Sequence, residues 1–307
     1  MSRFDAIDLS RLPPPAVVEE IDWRDIRNAM LDDFLARMRE AGEENYAALE
    51  SDPAVKLIEA AAFREMLLRQ RVNDAAQAVM LARSTGSDLD HLGALYGAAR
   101  KVLDEGNPDA TPPVPATYEP DDEYRRRIQL AVEAFSTCGP QGAYIYHALA
   151  ADPRVKDAQA YGPEDGLGLS PAQVLVVVLS REGDGSALAD LLAVVRDYIS
   201  ADERRPLADQ VMVQAAEIIT YEITATLTVL PGADPAVVEA AAREALQRYA
   251  DERHRIGLSV DTSFVHAALA QPGVERVSLS APAADIEISP VQAAWCTAIN
   301  LTLEPAA

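Results

Sequence analysis

The sequence is poor in the residues that do chemistry. Its 307 residues contain two cysteines, four histidines and only 6% aromatics. Cys138 and Cys296 stand far apart and form no CxxC or CxxH pair. That argues against a disulfide framework or a zinc knuckle and fits a reduced, cytosolic setting. His91, His147, His254 and His266 show no HExxH or other dense ligand spacing, and read as polar edge positions. There is no GxSxG, and no cysteine lies near a histidine. The acidic pairs Asp32-Asp33, Glu43-Glu44 and Asp121-Asp122 are adjacent residues, which do not face one another on a helix. The glycine-rich stretch 162–168 (GPEDGLG) lacks the GK[ST] end of a phosphate loop and carries Glu164 and Asp165, which repel phosphate. No uncharged apolar run approaches the ~18 residues of a membrane span, and the opening MSRFDAIDLSRLPPP has no signal-peptide core. The expectation is a non-enzymatic protein folded in a cytoplasm, with no catalytic residue, metal or cofactor.

What is present is acid, alanine and helix. The formal charge is −22, from 49 acidic against 27 basic residues. Such a chain repels nucleic-acid backbones and anionic lipid, so neither free nucleic acid nor a membrane is an expected partner. With 49% hydrophobic residues the chain buries sizeable cores, and its length suits more than one domain.

In chain order, residues 1–20 carry Pro13-Pro14-Pro15 and predict an extended arm. A helix follows from Trp23 to about Met38, capped by Asp22. Residues 52–83 predict one unbroken helix, opened by Asp52-Pro53 and closed by Gly86, ~45 Å long at ~1.5 Å per residue. Its heptads place Ile58, Glu65, Val72 and Val79 at a, and Ala61, Leu68, Ala75 and Ala82 at d. An alanine-rich seam lets another helix come close, and Glu65 on it is matched by Arg69 one turn later. Two occupants fit this seam: a helix of another protein, or the rest of this chain. Ser87–Tyr96 is a short helix ended by Gly97, and the prolines of 99–120 mark a linker or surface loop.

Asp121–Phe135 is helical, with Tyr124, Ile128, Ala131, Val132 and Phe135 as its buried stripe; its basic cluster Arg125-Arg126-Arg127 fits either a grip on an acidic partner surface or, the favoured reading, pairing on the helix surface with Asp121, Asp122 and Glu123. From Gly142 onward helices and strands mix. Val174–Leu179 (VLVVVL) reads as a strand covered on both faces, followed by the Gly183–Gly185 turn and a helix from Ser186 to Tyr198 with Leu188, Leu191, Leu192 and Val195 inward. Val211 and Val213 suggest a strand. Ile219–Leu230 alternates as a long strand with one wet side, and Asp234-Pro235 opens a helix to about Tyr249.

Segments 143–163 and 263–282 repeat one another. Tyr144 matches Phe264 and Leu149 matches Leu269; after a one-residue gap Val155 matches Val274 and Pro163 matches Pro282. The reading is an α+β protein: a long-helix bundle region, then α+β modules with an internal helix–strand repeat. The expected division is 1–98 for arm and helices, 99–120 for the linker, 121–217 for the first module and 218–307 for the second. A competing reading takes the Gly183–Gly185 turn, between a strand and a helix, as a small-molecule or enzymatic site.

LPPPAVVEEIDW (12–23), DPAVKLIEAAAFREMLLRQRVNDAAQAVMLA (52–82), SDLDHLGALYG (87–97), DDEYRRRIQLAVEAFS (121–136) and GAYIYHALAADPRVKDA (142–158) together resemble the baseplate assembly protein J family of contractile-tailed phages and tail-like bacteriocins. The resemblance continues through VLVVVLSREGDG (174–185), VRDYISADERRPLADQVMV (195–213) and PGVERVSLSAPAADI (272–286), and so covers nearly the whole chain in order. It implies a structural part of the baseplate wedge, needed for tail assembly, with no catalytic residues to carry over. Its partners would be other wedge proteins and further copies of itself in a ring around the central hub. Its place would be the host cytoplasm during assembly and the virion tail baseplate when mature. The seam of Ile58, Ala61, Leu68, Val72, Ala75 and Val79 would then be a contact with a partner in a helical bundle.

Overall fold

The computed structural model describes residues 7, 9, 12–13, 15–44, 46–136 and 138–306. The expected N-terminal arm lies partly outside them. The chain divides into two compact units, Ile7–Ala99 with Asp121–Arg125, and Arg100–Pro120 with Arg126 onward.

The first unit is helical. α1 (Trp23–Glu40) starts where Asp22 Oδ1 accepts the Arg24 N–H at 2.7 Å. α2 (Pro53–Ala78) starts in the same way, with Asp52 Oδ1 accepting from Ala54 N at 2.8 Å and Pro53 at the first helical position. The Tyr46 hydroxyl also donates to Asp52 and, with that backbone bond, holds the carboxyl below its ordinary pKa. α2 is shorter than the sequence suggests. It ends at Ala78, a rod of ~39 Å, and Gly86 opens α3 (Gly86–Ala94) instead of closing α2. The carbonyls of Leu81 and Ser84 accept from the Arg125 guanidinium at 2.7 and 2.8 Å, bonds that a continued helix would have to replace.

Gly93 on α3 marks a close approach. A Cβ there would lie 1.9 Å from the Tyr124 hydroxyl, which donates to Ala98 O at 2.5 Å. Tyr124 is fully buried, so it has little room to withdraw. Gly93→Ala is expected to cost about 1–3 kcal/mol by overpacking, read as a drop in denaturant midpoint at unchanged slope. A midpoint within error of the parent would mean that Tyr124 moves freely.

The second unit is α+β. The proline-rich stretch is no plain linker: β1 (Val102–Asp104) pairs antiparallel with β2 (Thr117–Tyr118). α4 (Asp121–Ala131) continues only as a short 3₁₀ turn, so Val132 and Phe135, expected inside, are exposed, while Tyr124, Ile128 and Ala131 are buried. Then come α5 (Gln141–Ala151), β3 (Val155–Tyr161), β4 (Gln173–Ser180), α6 (Ala189–Ile199) and β5 (Gln210–Ala215). Ser186 does not cap α6. Leu188 occupies that position and is exposed, leaving Leu191, Val195 and Ile199 to face the core. The chain ends with β6 (Glu217–Val229), α7 (Pro235–Arg253), α8 (Thr262–Leu269), β7 (Val274–Ala281) and β8 (Gln292–Pro305).

The strands form two three-stranded sheets, β3-β4-β5 and β7-β6-β8. In each, the central strand is antiparallel to one neighbour and parallel to the other. The helix–strand repeat maps onto α5–β3 and α8–β7, which supply the antiparallel edge of each sheet. The two halves are threaded in opposite order: α5–β3 precedes its central strand, whereas α8–β7 follows β6 and α7. β4 is apolar on both sides for a visible reason. Val176 and Val178 pack with α5 and α6, while Leu175, Val177 and Leu179 pack against Ala216, Ile256 and Ala293. β6 alternates because Tyr221, Ile223, Ala225 and Leu227 pack with α7 and α8, and the threonines between them do not.

Candidate assembly surface

α2 carries three kinds of face. One is covered within the unit: Val55, Ala62 and Asn73 are buried, with Ile58, Glu59, Glu65 and Met66 partly so. Asn73 is a buried polar residue with a clear reason. It accepts from Glu19 N at 3.0 Å and donates to Glu19 O at 2.8 Å, clamping the segment before α1 onto α2. A charged face holds Arg69 on Glu65, Nη2 to Oε1 at 2.6 Å, the pairing expected from their spacing.

The third face is apolar and bare. Leu68, Val72 and Val79 are 69, 60 and 71% exposed, Ala61 and Ala75 are exposed beside them, and Leu57 extends the stripe. Of the predicted seam residues, only Ile58 reaches the edge of the covered face, and Val79 sits at the helix C-cap. The reason is geometric. A strict seven-residue pattern slips ~20° per heptad around a straight α-helix. Successive a positions therefore rotate off the α1 side, from half-buried Ile58 to bare Val79. The stripe thus runs along the flank of the helical hairpin. Covering Leu57, Leu68, Val72 and Val79 is worth roughly 1.5–3 kcal/mol each when complete. That total is comparable with the freedom lost on association, so a partner on this stripe needs further contacts as well.

The three arginines of α4 do not act as a patch. Arg125 reaches Asp122 at 2.6 Å as well as the two carbonyls above. Arg126 and Arg127 reach tertiary partners. Arg126 Nη1 donates to Asp157 Oδ1 at 2.9 Å, and Asp157 Oδ2 accepts from Ile256 N at 2.9 Å, tying the two sheets together at a carboxylate 1% exposed. Arg127 grips Glu119 through Nε and Nη2 at 3.0 and 2.6 Å. The expected local pairing is seen for Arg125 with Asp122, and consecutive residues leave a helix ~100° apart, which sends Arg126 and Arg127 to other elements as well.

The Gly183–Gly185 turn is packed by its own protein at Gly185 and open at Gly183. A Cβ on Gly185, at φ +98°, would lie 2.6 Å from Leu179 Cδ1 and 2.9 Å from the His254 ring. Asp184 Oδ1 accepts the Ser186 N–H at 3.0 Å, occupying a backbone donor that a phosphate would need. His254 is buried at 4% exposure, its Nδ1 2.7 Å from Ala294 O and its ring 4.7 Å from Trp295. Burial lowers its pKa, as it does that of buried His147. Neither is the edge residue that spacing suggested. Among the described residues no group of histidine, cysteine and carboxylate side chains is placed to hold a metal, and no helix is long and apolar enough to cross a membrane.

Comparison with known proteins follows the same segments. Three family descriptions match in order: the baseplate J-like N-terminal domain at residues 50–107, the baseplate J-like central domain at 136–215 and the baseplate J-like protein C-terminal domain at 221–302. Over 294 residues the chain is 45% identical to "Baseplate protein J" of Escherichia phage P2, covering 95% of each. Among solved structures it resembles a chain of the anti-feeding prophage baseplate at 14% identity and a TM-score of 0.39, over 61% of this chain and 44% of that one, a likeness too distant to bear on function. A relative this similar along almost its full length places the chain in the baseplate J family.

Proposed function

We propose that the chain is a structural component of the baseplate wedge of a contractile tail, needed for baseplate and tail assembly. It acts by protein–protein contact and not by catalysis. Its partners are other wedge proteins and further copies of itself in a ring around the central hub; it works in the host cytoplasm during assembly and in the tail baseplate of the virion afterwards. The observation that carries the baseplate role is the 45% identity over 95% of both chains to a phage baseplate protein J. The stripe of Ala61, Leu68, Val72, Ala75 and Val79, with Ile58 at its border, supports a partner helix on α2, because no described residue of its unit covers it. Against the reading as a small-molecule site at Gly183–Gly185 stands the packing at Gly185, where a Cβ would meet Leu179 and His254.

Val72→Asp tests the stripe. A carboxylate placed in a desolvated helix contact is expected to weaken association by several kcal/mol. The far-ultraviolet spectrum and unfolding midpoint should stay near those of the parent, because Val72 is exposed in the lone chain. Co-purification with wedge proteins is the readout. Stoichiometric recovery of the variant with those partners removes α2 from the interface.

A further inference from the structure

The two sheets meet at a joint that holds one histidine. His254 follows the last turn of α7, where its N–H bonds Ala250 O at 3.0 Å, and the chain then straps one sheet to the other. Ile256 N donates to Asp157 Oδ2 on β3 at 2.9 Å, and Gly257 N donates to Gln292 O on β8 at 2.8 Å. Beside this strap Leu175, Val177 and Leu179 of β4 pack with Ile256 and Ala293. The buried His254 ring completes the joint. Its Nδ1 lies 2.7 Å from Ala294 O, and a carbonyl only accepts, so Nδ1 carries the proton and Nε2 the lone pair. The other edge of the ring is turned to Gly185, where an added Cβ would lie 2.9 Å from both Cε1 and Nε2. One ring therefore reaches from β8 to the turn after β4, with the Trp295 ring 4.7 Å away.

The charges around the ring are mixed. α7 contributes Asp251, β3 contributes Lys156 and Asp157, and the turn contributes Asp184, while β8 presents Ala294 and Trp295. Both oxygens of Asp157 already hold partners, Arg126 of α4 and Ile256 N. Burial acts most strongly and holds the imidazole below its ordinary pKa, and Lys156 acts in the same direction. The Ala294 carbonyl, Asp251, Asp157 and the C-terminal end of α7 favour a charged ring without overcoming burial. A second proton has to go on Nε2, the ring atom set against the turn.

We infer that His254 is an acid-operated latch between the two sheets: a proton on Nε2 loosens the turn after β4 from β8 and frees the two α+β modules from each other. In the open joint the ring meets water and titrates at its ordinary value, ~6.5. Opening therefore takes up a proton, and acid favours the open form. The neutral ring holds the joint closed in full above about pH 6.5. That contribution is lost as the pH falls toward the lower value of the closed form, and within this window each pH unit multiplies the open-to-closed ratio by up to about ten. Each sheet keeps a separate core with its own helices, so the joint opens locally while both modules stay folded.

Hydrogen exchange of the full-length chain at about pH 7.5 and about pH 5, corrected for the intrinsic pH dependence of exchange, tests the latch. This window lies above the ordinary carboxylate range, so the side chains that titrate in it are histidines. His91 and His266 are exposed, which leaves His254 and His147 as the buried ones. The expected result is that opening at residues 183–186 and 254–257 rises about five-fold or more on acidification, while Ile223–Leu227 in the middle of β6 changes less than about two-fold. His254→Asn keeps a donor for Ala294 O but takes up no proton, so the rise should vanish in it and persist in His147→Asn. No rise in the parent, or an equal rise in His254→Asn, overturns the proposal. Should His254→Asn fold poorly, the parent decides, through magnetic-resonance titration of its His254 ring. A value at or above ~6.5 overturns the latch, and a lower one together with the five-fold rise sustains it.

Discussion

Glu119→Ala is expected to destabilise the α+β unit by about 3–5 kcal/mol, among the largest single losses available in this fold. Glu119 and Arg127 are each 4% exposed, and the carboxylate takes two guanidinium bonds, at 3.0 and 2.6 Å. Such a pair adds little compared with an apolar pair of the same shape, since both ions must leave water. Removing one ion is a different matter, because the other stays buried without its main compensation. The loss also reaches the backbone. Glu119 N donates to Lys101 O at 3.0 Å, Arg100 donates to Glu119 O at 2.7 Å, and Lys101 N donates to Glu119 Oε2 at 3.3 Å. These bonds fasten both ends of the proline-rich excursion, so the variant should also expose residues 100–120 to protease. Glu119→Gln, which keeps an acceptor, should lose less. Replacing both residues together, Glu119→Leu with Arg127→Met, should recover most of the stability. Urea unfolding followed by circular dichroism reads all three. A Glu119→Ala loss under 1 kcal/mol would show that water reaches the guanidinium after all.

That pair also marks where sequence reasoning stopped. Strand character was legible wherever the two faces of a strand differ, or agree, in polarity. The continuous VLVVVL of β4 and the alternation of β6 each gave the right burial, because local pattern and tertiary environment coincide there. Asp22, Asp52 and Asp234 announced three helix starts through one local bond each. What sequence could not reach was any side chain whose partner lies far along the chain. Arg126 and Arg127 read as partners of their helix neighbours because Asp157 and Glu119 are invisible to helical spacing. Asn73, which no sequence pattern singles out, is buried because Glu19 bonds both ends of its amide. α2 looked longer because the arginine that takes carbonyls just beyond its end comes 44 residues after Leu81. The apolar stripe of α2 was half legible. Heptads identified Leu68, Val72 and Val79 as one apolar line, but periodicity marks a face without naming what covers it, and the slip of seven residues against 3.6 per turn turned that line away from α1.

The second large effect is expected at the turn after β4, where two glycines of similar backbone should respond differently. Gly183 has φ +62°, and a Cβ added there would meet nothing within 4 Å, so Gly183→Ala meets only the left-handed backbone penalty, about 1–2 kcal/mol. Gly185 has φ +98° and two fixed neighbours. Leu179 is fully buried on the central strand, and the His254 ring is held by its bond to Ala294 O. Gly185→Ala therefore adds a clash to the strain, and Gly185→Val adds a β-branch at positive φ. Strain of about 1–3 kcal/mol with overpacking of a further 1–3 puts the valine variant near 4 kcal/mol. The turn and the two packed sheets should loosen together, because Leu179 belongs to the cluster that joins them. The measurement is the difference between the two valine variants, Gly183→Val and Gly185→Val, in denaturant unfolding, with no ligand present. A gap of ~2 kcal/mol or more makes Gly185 a packing residue. Equal losses at both positions would mean that Leu179 and His254 yield to the added side chain, and the turn would again have room for something other than its own core.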